Sequence, residues 1–247
     1  MVIGFCGSGS MAAAMARGWA EDTDGMLFTD SGSGRAGDLA AEVGGEALDS
    51  NAELAERADL LVLAVKPARL AEAAAELAGA ETVVSLLGAT PLERLEAAFP
   101  VADVIRVMPN VAVEVRRGVL CVTGAESPQA REMLGLLGHV VDLPDEAFDA
   151  ATAVMGCAPA YLALAVEALA DAGADAGLDP ELARELVVET TAGSAELLRI
   201  RHPADVRAAV ASPGGSTEAG LDALEAEGAR EAFEAAVRAS LERMEGR

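Results

Sequence analysis

Very little in this chain is basic, aromatic or sulfur-bearing, and each shortage closes off a class of protein. Only 18 lysines and arginines stand against 41 aspartates and glutamates, leaving a net charge of −23 on 247 residues. Such a surface repels phosphate backbones and anionic lipid, so nucleic-acid and membrane-surface partners are excluded. It repels anionic cofactors too, so any phosphate must be held by a local feature. Among the basic residues Lys66 is the single lysine. This acid-rich, arginine-for-lysine balance is the compositional style of a salt-adapted organism, and it makes Lys66 conspicuous. Aromatic residues make up 3% of a chain that is 52% hydrophobic, so the core is expected from Ala, Val and Leu. Cys6, Cys121 and Cys157 lie far apart in apolar contexts. Their odd number argues against a disulfide framework and fits the reducing cytoplasm, and metal-ligand spacing is absent. No basic residue precedes Arg17, so no signal peptide is read. The longest uncharged stretch of interest, 150–166, has 17 residues including Gly156 and Pro159. A membrane helix needs ~20.

What is present begins at once. Residues 2–12 read V-I-G-F-C-G-S-G-S-M-A. A short apolar strand over 2–6 runs into Gly7, Ser8 and Gly9, and a helix-forming run over 11–19 follows. This is the dinucleotide fingerprint G-x-G-x-x-G/A, with Gly7, Gly9 and Ala12 at its three small positions. Gly7 permits the tight turn, Gly9 lets the backbone approach a pyrophosphate, and Ala12 lets the helix pack on the sheet. Ser10 and Met11 open the helix, whose unpaired N–H groups face the phosphates.

The rest of 2–143 alternates strands and helices. Strands are expected over 26–29, 60–65, 82–86, 104–107, 118–122 and 139–143. Helices are expected over 35–42, 51–57 with Asn51 as N-cap, 91–98 and 128–137. That alternation predicts a mostly parallel, doubly wound α/β sheet. Asp30 ends the second strand, 18 residues beyond Ala12, where an acid bonds the ribose hydroxyl of NAD. Ser31, Ser33 and Arg35 follow immediately and suit the 2′-phosphate of NADP, so the residues leave NADH and NADPH both open. Ala64, Val65, Lys66 and Pro67 close an apolar strand at the carboxyl end, where such sheets bind ligands. Met108, Pro109 and Asn110 close another.

From about Asp145 no strand-like segment remains. Helices are expected over 147–174, from Pro180 towards Ile200 with Asp179 as cap, after Pro203, and over 218–225 and 229–244. The chain therefore divides into a dinucleotide-binding domain, 1–145, and an all-helical domain, 146–247. A bundle this apolar and small completes its core with a second chain. Within it, Ser212, Pro213, Gly214, Gly215, Ser216 and Thr217 force a turn and start a helix. The N–H groups of Gly215, Ser216 and Thr217 are expected to face outward, an anion site suited to a carboxylate.

Taken together, G-F-C-G-S-G-S-M-A (4–12), Asn51, A-V-K-P (64–67), R-V-M-P-N (106–110), T-A-V-M-G-C-A-P-A-Y (152–161) and S-P-G-G-S-T (212–217) resemble pyrroline-5-carboxylate reductase, collinearly over nearly the whole chain. The resemblance implies a Rossmann domain followed by a helical domain that interlocks with a partner subunit in a homodimer. It implies hydride transfer from NADPH or NADH to 1-pyrroline-5-carboxylate, giving proline. Ser212, Gly214, Gly215, Ser216 and Thr217 would hold the substrate carboxylate, with Ser216 and Thr217 catalytic and the Thr217 hydroxyl near the ring nitrogen. Gly7, Ser8, Gly9, Ser10, Met11, Asp30, Ser31 and Arg35 would hold the cofactor. Asn51 would meet its adenosine ribose side. Ala64, Val65, Lys66, Pro67, Met108, Pro109 and Asn110 would line its nicotinamide end. The chain departs from the family pattern at Ser10, Leu87, Cys157 and Ala158. Those departures keep two alternatives: reduction of another cyclic imine, and a non-catalytic dinucleotide-sensing dimer.

Overall fold

Short apolar strands separated by alanine-rich helical segments can bury both faces of a sheet only if helices cover each side. The computed structural model, which describes residues 1–246, has this arrangement in its first unit, Met1–Cys157 with the stretch beginning at Arg243. The strands are β1 (Val2–Cys6), β2 (Gly25–Thr29), β3 (Glu46–Ala47), β4 (Leu60–Leu63), β5 (Thr82–Ser85), β6 (Asp103–Pro109), β7 (Gly118–Gly124) and β8 (Gly138–Asp142). They form one sheet in the order β3-β2-β1-β4-β5-β6-β7-β8. Neighbours run parallel except β6 and β7, which are antiparallel. Because β1 lies between β2 and β4, the winding reverses there and opens a crevice at the carboxyl ends of β1 and β4.

The helices of this unit are α1 (Ser10–Trp19), α2 (Arg35–Val43), α3 (Asn51–Arg57), α4 (Leu70–Glu76), α5 (Leu92–Ala98), α6 (Pro128–Leu136) and α7 (Phe148–Ala151). Alternate strand residues sort onto the two faces. Ile3, Phe5, Phe28 and Val62 pack with α1, α2 and α6, whereas Leu27, Leu61, Leu63 and Val83 pack with α3, α4 and α5. Phe5 stacks on Phe28 with ring centroids 5.0 Å apart. Trp19 is fully buried at the end of α1, and its indole N–H donates to the Met133 carbonyl at 2.7 Å.

Three local differences from the sequence reading have physical causes. The cap of α3 is Ser50, whose hydroxyl accepts from the Glu53 N–H at 3.4 Å, so Asn51 is the first helical residue and its side chain is free for other partners. β3, two residues long and exposed, has no apolar run to announce it. β6 runs on through Pro109, because pairing with β5 stops at Arg106 and β7 alone continues beside Pro109.

After α7 the chain passes through a π-helical turn, Thr152–Gly156. The Thr152 hydroxyl donates back to the Phe148 carbonyl at 2.7 Å. The second unit, Ala158–Glu242, is helical: α8 (Ala158–Asp175), α9 (Pro180–Leu198), α10 (Pro203–Val210), α11 (Ser216–Ala226) and α12 (Ala229–Glu245). The Asp179 carboxylate caps α9, accepting from the N–H groups of Glu181 and Leu182. Within this unit only Ala170 and Ala183 are buried among the described residues, while Leu164 is 65% and Ile200 79% exposed. The helical run Asp145–Asp175 is 31 residues long and contains an 18-residue window of mean hydropathy 1.7, so by length and composition alone it is long and apolar enough to cross a membrane. Counting only the uncharged stretch missed this, because the helix continues on both sides of it.

Candidate active site

The carboxyl edge of the parallel strands gathers most of the residues singled out in the first unit. β1 ends at Cys6, and Gly7 turns the chain at φ +101°, its N–H donating to the Thr29 carbonyl at 3.1 Å. A Cβ at Gly7 would lie 2.8 Å from the backbone carbon and oxygen of Ala64, so no side chain fits between the ends of β1 and β4. Ser8 is buried and its hydroxyl donates to the Thr29 carbonyl. Gly9 is the N-cap of α1 and faces open space. The N–H groups of Ser10, Met11 and Ala12 form the unpaired first turn of α1, since the backbone ladder begins with Ala13 donating to Gly9. A cradle closed to Cβ atoms on one side and lined by helix amides on the other fits a pyrophosphate.

Asp30 lies at the end of β2, and its carboxylate turns into its own loop. It accepts from the N–H groups of Gly32, Ser33 and Ala36 and from the Ser33 hydroxyl. These donors, the Ala36 N–H foremost, hold the Asp30 carboxyl below the usual carboxylate range. Ser31 and Arg35 are exposed on the same loop.

Asn51 reaches back from α3 to the same edge. Its carbonyl oxygen accepts from the Thr29 hydroxyl at 2.6 Å and from the Cys6 thiol at 3.5 Å, and its amide donates to Glu76 at 2.6 Å. Thr29 and Glu76, which the sequence reading did not single out, thereby fix the Asn51 side chain. Thr29 adjoins Asp30 and carried a positional signal; Glu76, on the exposed side of α4, carried none. Burial pushes the Cys6 thiol up to about 11, so Cys6 stays protonated and inert.

Ala64 continues β4, its N–H donating to the Cys6 carbonyl at 2.8 Å. Lys66 caps a short 3₁₀ turn, Pro67–Arg69, with Pro67 in its first position. The Lys66 side chain is exposed and has no hydrogen-bond or ion-pair partner among the described residues. Met108 and Pro109 end β6 beside Cys121 and Leu120 of β7. Asn110 is buried and its amide is used internally: the oxygen accepts from the Val119 N–H and the nitrogen donates to the Met155 carbonyl, each at 3.2 Å. Nearby, Arg106 is 4% exposed, bonded to Asp145 at 2.6 Å and stacked 4.3 Å over Phe148.

The remaining site residues belong to the second unit. Ser212, Gly214 and Gly215 make a tight turn into α11. The N–H of Gly215, expected to face outward, instead donates to the Ser212 carbonyl at 2.9 Å, because the turn folds back on itself. The Gly214 N–H donates to the Glu218 carboxylate at 2.7 Å. The exposed first-turn amides of α11, those of Ser216 and Thr217, are left unpaired, as the ladder starts with Ala219 donating to Gly215. Two outward amides and the Thr217 hydroxyl can bind a carboxylate and offer one further donor or acceptor.

Residues 145–246 match a family profile described as pyrroline-5-carboxylate reductase dimerisation. Residues 2–88 match one described as NADP oxidoreductase, coenzyme F420-dependent. A pyrroline-5-carboxylate reductase of Pseudomonas aeruginosa is 34% identical, the match covering 98% of this chain and 94% of that protein. The crystal structure of the Streptococcus pyogenes 1-pyrroline-5-carboxylate reductase superposes with a TM-score of 0.90 at 28% identity, covering 100% of this chain and 99% of that one. A Plasmodium falciparum pyrroline carboxylate reductase with NADP bound gives a TM-score of 0.86 at 26% identity, covering 100% and 97%. With its sheet, its glycine turn and its helical second half all matched in one collinear order, the chain belongs to the pyrroline-5-carboxylate reductase family.

Proposed function

We propose that the protein reduces 1-pyrroline-5-carboxylate to proline with NADPH or NADH, the first 145 residues holding the cofactor and 146–247 supplying substrate contacts and the dimer interface. The observation that carries this reading is the match of the helical half, 145–246, to the reductase dimerisation family. Dehydrogenases that share only the nucleotide turn have no need of that half. The reduced nicotinamide supplies the hydride that goes to the imine carbon. The chain's own residues do the placing. Gly7 through Met11 present an amide-lined turn to the pyrophosphate, and Ser216 and Thr217 offer amides to the substrate carboxylate. Substrate that is reduced unprotonated must gain a proton at the ring nitrogen, and no His, Cys or carboxylate in the motifs is an evident donor. Thr217, or a water it holds, relays that proton, while much of the rate comes from substrate already protonated in solution.

The apolar outer surface of the second unit fits a second copy of the chain better than bilayer. Its exposed leucines are interleaved with acids such as Glu167 and Asp171, which a bilayer would penalise. The three free cysteines fit a cytoplasmic setting.

The test is oxidation of each cofactor by purified protein with 1-pyrroline-5-carboxylate in high salt, with proline as product. At a pH where little of the substrate is protonated in solution, Thr217→Ala is expected to lower kcat by about 10²-fold, the low end for a lost proton relay, while cofactor affinity stays the same. Unchanged kcat would remove Thr217 from the mechanism. Cofactor binding without turnover in the unsubstituted protein would favour another cyclic imine, or the sensing role that Cys157 and Ala158 leave open.

A further inference from the structure

Asp30 stands where an acid selects NADH, yet its surroundings point the other way. An ionised carboxylate has two oxygens and about four lone-pair positions. In Asp30 the Oδ1 atom accepts from the Gly32 N–H at 2.6 Å and the Ser33 N–H at 2.9 Å. The Oδ2 atom accepts from the Ser33 hydroxyl at 2.9 Å and the Ala36 N–H at 2.8 Å. All four positions are filled from within the loop, so none is left to accept a ribose 2′-hydroxyl. Freeing one would strand a backbone donor or the Ser33 hydroxyl.

The same bonds shape what the loop shows to solvent. The Ser33 hydroxyl, held by Asp30, accepts from Arg35 Nε at 3.1 Å. That contact steadies one edge of the guanidinium. Its two terminal nitrogens have no partner among the described residues, and Arg35 is exposed. A planar fork with free N–H groups matches a phosphate in bidentate fashion. On a chain of net charge −23 such a local cation is what an extra phosphate needs.

We infer that Asp30 is a positioning residue that braces the loop bearing Ser31, Ser33 and Arg35, and that this loop selects NADPH over NADH through the 2′-phosphate. The inference rests on the proposed cofactor site at Gly7 through Met11 and deepens it by naming which cofactor the site takes.

Titration calorimetry with NADPH and NADH, at one fixed salt concentration, tests it without turnover. The unsubstituted protein is expected to bind NADPH at least about tenfold tighter, the scale of one charge-assisted pair. Arg35→Ala should collapse the ratio by weakening NADPH. Asp30→Ala should also weaken NADPH more than NADH, because the carboxylate acts only through the loop. Tighter binding of NADH by the unsubstituted protein would overturn the inference. So would an Asp30→Ala variant that loses NADH affinity while keeping NADPH. Failure of both cofactors to bind would overturn the dinucleotide reading itself, and this inference with it.

Discussion

Asn110 is a bracket, and removing it has a cost that the structure lets one work out. Its side-chain oxygen holds the Val119 N–H and its nitrogen holds the Met155 carbonyl, so one residue joins the end of β6 to β7 and to the π-helical turn. Asn110→Ala deletes two neutral hydrogen bonds, each worth about 1 kcal/mol net. It also leaves a backbone donor and acceptor short of partners. Both neighbours are half-buried, so water satisfies them in part, and the total comes to about 2–3 kcal/mol. For a unit of this size the melting temperature should fall by about 4–12 °C. Differential scanning calorimetry reads that shift. Hydrogen exchange locates it, because the Val119 amide should lose protection while β1 and β4 keep theirs. Asn110→Asp is the companion variant. It retains an acceptor for Val119 but turns an anionic oxygen towards the Met155 carbonyl, so it should be at least as destabilising. A shift below about 1 °C with Val119 still protected would refute the bracket, since that lies well under the loss expected from two bonds.

Two further outcomes follow from charge and burial. Cys6 and Cys121 are buried, and burial raises both thiols, so neither should react with Ellman's reagent at pH 8 until the protein is unfolded. Because the folded Cys6 thiol lies near 11 against 9.0 for a free one, its contribution to stability is whole below 9.0 and is lost as pH rises towards 11. The urea midpoint should therefore fall over that range, and fall less in Cys6→Ala; equal slopes would show that Cys6 plays no part. Salt should stabilise the chain, since 41 acids face 18 bases. Shortening the screening length from about 10 Å at 0.1 M to about 3 Å at 1 M weakens that self-repulsion. An unchanged or lower melting temperature in 1 M KCl would show that the ion pairs outweigh the excess charge.

The doubly wound sheet was legible because most of its strands are continuous apolar runs and helices such as α3, α5 and α6 open on Ser or Pro. In the second unit Asp179 before Pro180 read correctly as a helix entry, and the helix expected after Pro203 is present, with His202 as its cap. Gly7 was legible for the reason the structure displays, a turn with no room for a Cβ. What could not be read were contacts between residues distant in the chain. Nothing near Asn51 points to Thr29 and Glu76, and nothing near Arg106 points to Asp145 and Phe148. Asp30 shows the limit most clearly. The sequence places a carboxylate at the diagnostic position, but only coordinates reveal that its loop already occupies every acceptor position. The π-helical turn was likewise invisible, since T-A-V-M-G reads as ordinary helix.

Trp19 is the chain's only tryptophan, and it is sealed in the sheet unit with its indole bonded to Met133. Its emission therefore reports one unit and is nearly blind to the other, where the chain's single tyrosine, Tyr161, lies beside Ser240. Far-ultraviolet ellipticity is weighted the opposite way, towards the long helices α8, α9 and α12. Followed together through denaturation, the two signals form a pair of optical channels supplied by the native sequence. Coincident curves would mean that sheet and bundle melt as one cooperative body, and separated curves that each has a transition of its own.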